Sequence, residues 1–243
     1  MLATALQKHR EDPVAIPYDL NEVALMQPLE VHKHIICVGL NYESHIPECE
    51  VGLKKEMPAQ PVFFSKAPTS VIGPDDTIHL HAGVTGEVDY EGELAVIIGK
   101  RGSHIPEEEA LDYVFGYTIL NDVSARDLQR SNTQWFRAKS LDTFCPIGPA
   151  ILLGEKKAHD FEIKTHVNGE LRQTGTTDEL IFNVPQLIAH WSQGLTLEPG
   201  DIIATGTPAG VGMSFTPPRY LQDEDEVAIT ISGIGTLKNT VGR

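Results

Sequence analysis

Nine short apolar runs set the limits on what this chain can fold into: HIICVGL, PVFFS, GELAVIIG, VFGYTIL, GPAILL, FEIKTHV, DIIATG, EVAITI and TLKNTV. Most are rich in β-branched residues and bounded by Gly, Pro or Asp, the pattern of strands closed by turns. Helical signals are fewer. PEEEALDYV opens with proline and a run of glutamates suited to a helix N-terminus, and NVPQLIAHWSQG carries Asn183 as cap and Gly194 as stop. The expected class is α+β, with a β-dominated core.

No internal repeat or interior linker divides these runs. Residues 1–30 read as a polar, proline-punctuated lead-in, and 31–243 as a single domain. A chain of 243 residues that is 41% apolar can bury a sizeable core. With 34 acidic against 19 basic residues the formal charge is -15, which argues against nucleic acid as a partner. No stretch approaches a membrane span or a signal-peptide core, so a cytoplasmic setting without membrane contact is the expectation. Cys37, Cys49 and Cys145 are scattered, with no CxxC pair, and read as reduced and structural.

The stretch EVDYEGE, at 87–93, leads straight into LAVIIG. On a strand Glu87, Asp89, Glu91 and Glu93 would share one side and repel one another. A cation could hold them together. Glu91 and Glu93 flank Gly92 at the mouth of the apolar run, and a second run, VFGYTILNDVSARD, ends at Asn121 and Asp122. Three hard oxygen donors on rigid elements suit Mg²⁺ or Mn²⁺ and leave positions open for water and substrate. The alternative is a solvated acidic edge.

Six segments then occur in order: VGLNYESHIPE, DYEGELAVIIGK, NDVSARDLQ, RAKSLDTFCPIGP, VNGELRQTG and DIIATGTPAGVG. Together they resemble the fumarylacetoacetate hydrolase family, from about residue 34 to the C-terminus. The resemblance implies a catalytic domain over 31–243 with the mixed β-roll, or sandwich, of the family's C-terminal domain. It also implies a homodimer, and a divalent metal on Glu91, Glu93 and Asp122.

His45 and Glu48 lie three apart in NYESHIPE, so they meet only if the stretch makes a helical turn, with Pro47 inside it. They match the family's His and Glu, a general base and its orienter; the alternative is a surface histidine capping a loop. Lys139, in RAKSLDTF, matches a lysine of the family's site, where an ammonium would meet a developing enolate. Alone it would read as a solvated surface charge. Arg126 and Gln129 follow Asp122 by four and seven residues and would stack with it on a helix. Both are candidates for binding a substrate carboxylate, and Arg126 could equally pair with Asp122 or Asp127. Thr207, in the glycine-rich TGTPAGVG, is placed to donate to a substrate carboxylate or simply to close the turn.

The resemblance implies an enzyme acting on small 2-oxo acids. The leading expectation is hydrolysis of a carbon–carbon bond in an acylpyruvate-type β-diketo acid, with His45 activating water and a metal-stabilised enolate departing. Oxaloacetate tautomerisation or decarboxylation, or isomerisation of a 2-hydroxyhepta-2,4-diene-1,7-dioate, would use the same enolate. DTFCPIGP and PPRYL look closest to members acting on oxaloacetate. A catalytically idle, metal-stapled binding protein is the reading from another class; His45, Glu48 and Lys139 argue against it.

Overall fold

The computed structural model describes residues 22–48, 57–154 and 160–243; most of the lead-in, together with Cys49, falls outside them. Its fourteen strands are β1 (Ile35–Gly39), β2 (Val62–Lys66), β3 (Val71–Ile72), β4 (Thr77–His79), β5 (Val88–Asp89), β6 (Gly92–Ile98), β7 (Val114–Asn121), β8 (Ser124–Ala125), β9 (Cys145–Leu153), β10 (Glu162–Val167), β11 (Glu170–Thr176), β12 (Ile202–Ala204), β13 (Glu226–Ile231) and β14 (Gly235–Gly242). Among the described residues three α-helices accompany them: α1 (Arg126–Ser131), α2 (Phe136–Lys139) and α3 (Val184–Ser192).

A seven-stranded sheet runs in the order β2-β1-β12-β6-β7-β9-β3, and a five-stranded sheet in the order β11-β10-β13-β14-β4. Both are mixed, since β1 with β12, β3 with β9 and β14 with β4 pair parallel while the remaining pairs are antiparallel. Strands β6, β7 and β9 of the large sheet pack against β10, β13 and β14 of the other. The architecture is the β-dominated α+β roll expected.

Alternation along the strands sorts side chains between two cores. Ile36, Val38, Leu94, Val96, Ile98, Tyr117, Ile119 and Ile203 fill the space between the sheets, with Ile163, Ile229, Ile231 and Leu237 opposite. Their neighbours Ile35, Cys37, Ala95, Leu120, Ile202 and Ala204 enter a smaller core on the other face of the large sheet. Central β6 is therefore buried along its whole length, which is why LAVII is uniformly apolar. Strand β13 in the outer sheet buries every second residue, as a one-faced strand must.

All nine expected runs form strands. Strand β11 was not foreseen, although Asn168-Gly169 marks its hairpin with β10: both residues have positive φ, 52° and 76°, as the tight two-residue turn requires. Helix α3 has the expected cap, with Asn183 Oδ1 accepting from Gln186 N at 3.0 Å. The expected helix at PEEEALDYV is instead a 3₁₀ helix, Glu107–Tyr113, with Glu109 N donating to Pro106 O. It runs directly into β7 at Val114, and so short a span favours the tighter winding.

Candidate active site

The acidic stretch does not run as one strand. Strand β5 pairs with β8 and β6 with β7, and the break at Tyr90–Glu91 sends the four carboxylates to different partners. Glu87 pairs with Arg130 at 2.5 Å. Asp89, fully buried, accepts from Arg126 Nε (2.9 Å) and from the backbone N–H groups of Tyr90, Gly212 and Met213. Glu91 and Glu93 meet Asp122, and the three offer carboxylate oxygens within 4.8 Å of one another.

Strand parity explains the meeting. Glu93 shares the face of Ala95, and Asp122, just past β7, that of Leu120; both faces turn to the smaller core. Asp122 N donates to Glu91 O at 2.9 Å, locking the two ends together. Gly92 points the other way, toward the second sheet, where a Cβ would collide with Thr165 Oγ1 and press on Ile229. Glycine is required between the two glutamates because Thr165 and Ile229 of the second sheet leave no room for a Cβ there.

Two buried lysines balance this cluster. Lys139 Nζ, at the end of α2, lies 2.6 Å from Glu91 Oε2 and 2.7 Å from Asp122 Oδ2. Lys66 Nζ, at the end of β2, lies 2.6 Å from Asp122 Oδ1 and 3.1 Å from Val123 O. Burial would raise the Glu91 pKa, but Lys139, Arg126 and His45 hold it below the usual carboxylate range. Glu93 is pushed well above that range, by burial first and then by Asp122 and Glu91. Among the described residues no cationic side chain forms a salt bridge to Glu93, although Gly206 N donates to its Oε2 at 2.8 Å. An all-oxygen donor set with one uncompensated carboxylate fits a hard divalent cation.

His45 and Glu48 lie on the 3₁₀ helix Glu43–Glu48, which contains Pro47. His45 Nδ1 sits 2.8 Å from Glu48 Oε2, and Glu48 Oε1 accepts from Gly210 N at 2.8 Å. The glycine-rich loop thus fixes the carboxylate that holds the imidazole. Gly210 has φ 107°, and a side chain there would strike the Arg172 carbonyl.

Arg126 and Gln129 share one face of α1, with Arg126 NH1 donating to Gln129 Oε1 at 3.0 Å. The helix begins only at Arg126, so Asp122 does not stack below them as expected. Arg126 does form an ion pair, but with Asp89 and Glu91 instead of Asp122 or Asp127, because β8 turns the chain between residues 122 and 126. Its NH2 lies 2.7 Å from Glu91 Oε1 yet has no aligned hydrogen-bond partner. Thr207 donates its hydroxyl proton to Gly92 O at 3.0 Å, which closes the turn and takes away the donor expected for substrate.

His45, Glu91, Glu93, Arg126, Gln129, Lys139 and Thr207 all line one cavity of about 410 Å³; Phe64 and Trp135 form part of its apolar wall. Glu48 and Asp122 support it from behind. Lys66 and Asp89 were not foreseen as site residues. Lys66 gave no local signal, whereas Asp89 stood in the acidic stretch itself.

Residues 34–242 match the sequence profile described as Fumarylacetoacetate (FAA) hydrolase C-terminal. The chain belongs to the fumarylacetoacetate hydrolase family. One relative in the family is the oxaloacetate tautomerase YisK of Bacillus subtilis strain 168, 48% identical over 99% of this chain and 80% of that protein. The mitochondrial oxaloacetate tautomerase Fahd2a of Rattus norvegicus is 44% identical over 91% of this chain and 70% of its own. Among solved structures, a fumarylacetoacetate hydrolase from Exiguobacterium antarcticum superposes with TM-score 0.83 at 47% identity, covering 93% of this chain and 80% of that one. The 2-hydroxyhepta-2,4-diene-1,7-dioate isomerase of Mycobacterium marinum gives 0.80 at 42%, with the same coverage. Among the described residues no helix is long and apolar enough to cross a membrane.

Proposed function

We propose that this protein is a divalent-metal-dependent enzyme of small 2-oxo acids, and that its reaction is keto–enol tautomerisation of oxaloacetate or a close analogue. The observation that carries the reading is that His45, held by Glu48, lines one cavity with Glu91 and Glu93, two of the three converging carboxylates. Moving a proton between carbon and oxygen needs a proton carrier beside a site that stabilises an enolate, and it needs no activated water. The two relatives named as oxaloacetate tautomerases and the structure named as an isomerase support this alternative over carbon–carbon hydrolysis, which the name of the Exiguobacterium antarcticum structure favours.

Glu91, Glu93 and Asp122 would hold the cation, Mg²⁺ or Mn²⁺, which supplies Lewis-acid stabilisation to an enolate oxygen. His45 accepts the proton from the substrate's C3 as the C–H electrons become the C2–C3 double bond and the carbonyl π electrons move onto oxygen, and the imidazolium then gives a proton to that oxygen. The reverse sequence regenerates the ketone. Glu48 fixes the imidazole through Nδ1 at 2.8 Å, so exchange with substrate runs through the ring's other nitrogen. Lys139 adds positive charge where the enolate develops. Arg126, paired with Asp89 and Glu91 and bonded to Gln129, brings a fixed positive charge to the cavity wall toward which a substrate carboxylate would turn.

The deciding experiment follows the enol absorbance of oxaloacetate with Mg²⁺ while assaying carbon dioxide and pyruvate, with acetylpyruvate tested in parallel. Faster enol–keto conversion without new products supports the proposal. Acetate and pyruvate released from acetylpyruvate at a higher rate would return the assignment to hydrolysis. A homodimer and a cytoplasmic setting belong to the same proposal; sedimentation analysis of the purified protein tests the first and fractionation of the source cells the second.

A further inference from the structure

The peptide between the two glutamates is enclosed by hydrogen bonds that the chemistry above does not use. Gln173, on β11 and fully buried, accepts from Gly92 N at Oε1 (3.0 Å). Its Nε2 donates to Thr207 Oγ1 (2.7 Å) and Pro208 O (2.8 Å). Thr207 Oγ1 donates in turn to Gly92 O (3.0 Å). The ring closes on Gly92, holding both its N–H and its carbonyl.

We propose that Gln173 is a positioning residue for the cation site, setting the pitch between the Glu91 and Glu93 carboxylates and tying it to the Thr205–Gly212 loop. Side chains at i and i+2 keep their separation only if the residue between them keeps its backbone angles. That residue must be glycine because of Thr165, and glycine is the residue least able to hold its own conformation. The restraint therefore has to come from outside the strand. An amide suits the task, since it accepts on one side and donates on the other; a carboxylate or an aliphatic side chain cannot do both. The same loop supplies Gly206 N to Glu93 and Gly210 N to Glu48, so the ring links the metal carboxylates to the histidine pair.

This inference rests on the assignment of Glu91, Glu93 and Asp122 as cation ligands. The test is calorimetric titration of Mg²⁺ into the wild type, Gln173→Leu, Thr207→Val, Thr207→Ser and the Gln173→Leu/Thr207→Val double variant, with metal-free melting temperatures measured alongside. We expect each ring-breaking single variant to bind Mg²⁺ about tenfold more weakly and Thr207→Ser to bind like the wild type. The double variant should bind no more weakly than the worse single one, because a ring is opened only once. If Gln173→Leu does not fold, the contrast between Thr207→Val and Thr207→Ser decides. Variants that melt lower yet bind Mg²⁺ with wild-type affinity overturn the proposal, as do losses that simply multiply in the double variant. A wild type that binds neither Mg²⁺ nor Mn²⁺ overturns the cation assignment itself, a distinct failure.

Discussion

Lys66 Nζ lies 2.6 Å from Asp122 Oδ1, and neither side chain has any exposed surface. The pair joins the edge strand β2 to the end of β7, and it faces the Asp122 oxygen that Lys139 does not reach. One carboxylate is thus gripped from both sides by lysines from different segments.

Breaking that grip should be costly. In Lys66→Met the Asp122 carboxylate keeps Lys139 but loses a buried partner, and removing one member of a buried pair typically costs about 3–5 kcal/mol. We expect a loss toward the lower end, read as a lower urea midpoint at unchanged slope. A variant as stable as wild type would show that Lys66 is not needed to compensate Asp122.

Glu93 should behave in the opposite sense. It is the cluster carboxylate with no salt bridge among the described residues, and Asp122 and Glu91 crowd it. Glu93→Gln should therefore melt no lower than wild type without metal, yet lose at least about tenfold in Mg²⁺ affinity and most of the thermal shift that millimolar Mg²⁺ gives the wild type. Calorimetry and thermal melts check both halves; retained affinity would remove Glu93 from the site.

His45→Ala should leave Mg²⁺ binding within about twofold of wild type and slow enol–keto conversion by roughly two orders of magnitude or more. Glu48→Gln should slow it less, since the amide still meets Nδ1. Stopped-flow enol absorbance at saturating Mg²⁺ measures both. An unchanged rate in His45→Ala would dismiss the histidine as proton carrier.

Gly92→Ala should destabilise the fold by about 1–3 kcal/mol, the usual penalty for overpacking, because the new methyl meets Thr165 Oγ1. Adding Thr165→Ala should recover part of that loss, since the threonine hydroxyl has no hydrogen-bond partner of its own. Chemical denaturation of the single and double variants gives the comparison. Equal stability of the two would mean that the sheets can part at this point.

Much of this was present in local pattern. Alternation along GELAVIIG and VFGYTIL was enough to put Glu91, Glu93 and Asp122 at strand mouths, and the three-residue spacing of His45 and Glu48 is realised on one 3₁₀ turn. Motif order pointed to the family, and the cap at Asn183 to helix α3. These readings succeeded because their causes lie within a few residues: side-chain parity, backbone restriction and capping all act locally. The partners of the site residues act over longer spans. Lys66 meets Asp122 across 56 positions, Asp89 meets Gly212 across 123, and Gln173 meets Gly92 across 81. Which distant donor arrives depends on strand order and register, and these are fixed only when the two sheets pack. The same packing decided that Arg126 answers Asp89 and Glu91 and that Thr207 turns its proton to the backbone, because once buried each polar group must take whatever partner the assembled sheets bring within reach.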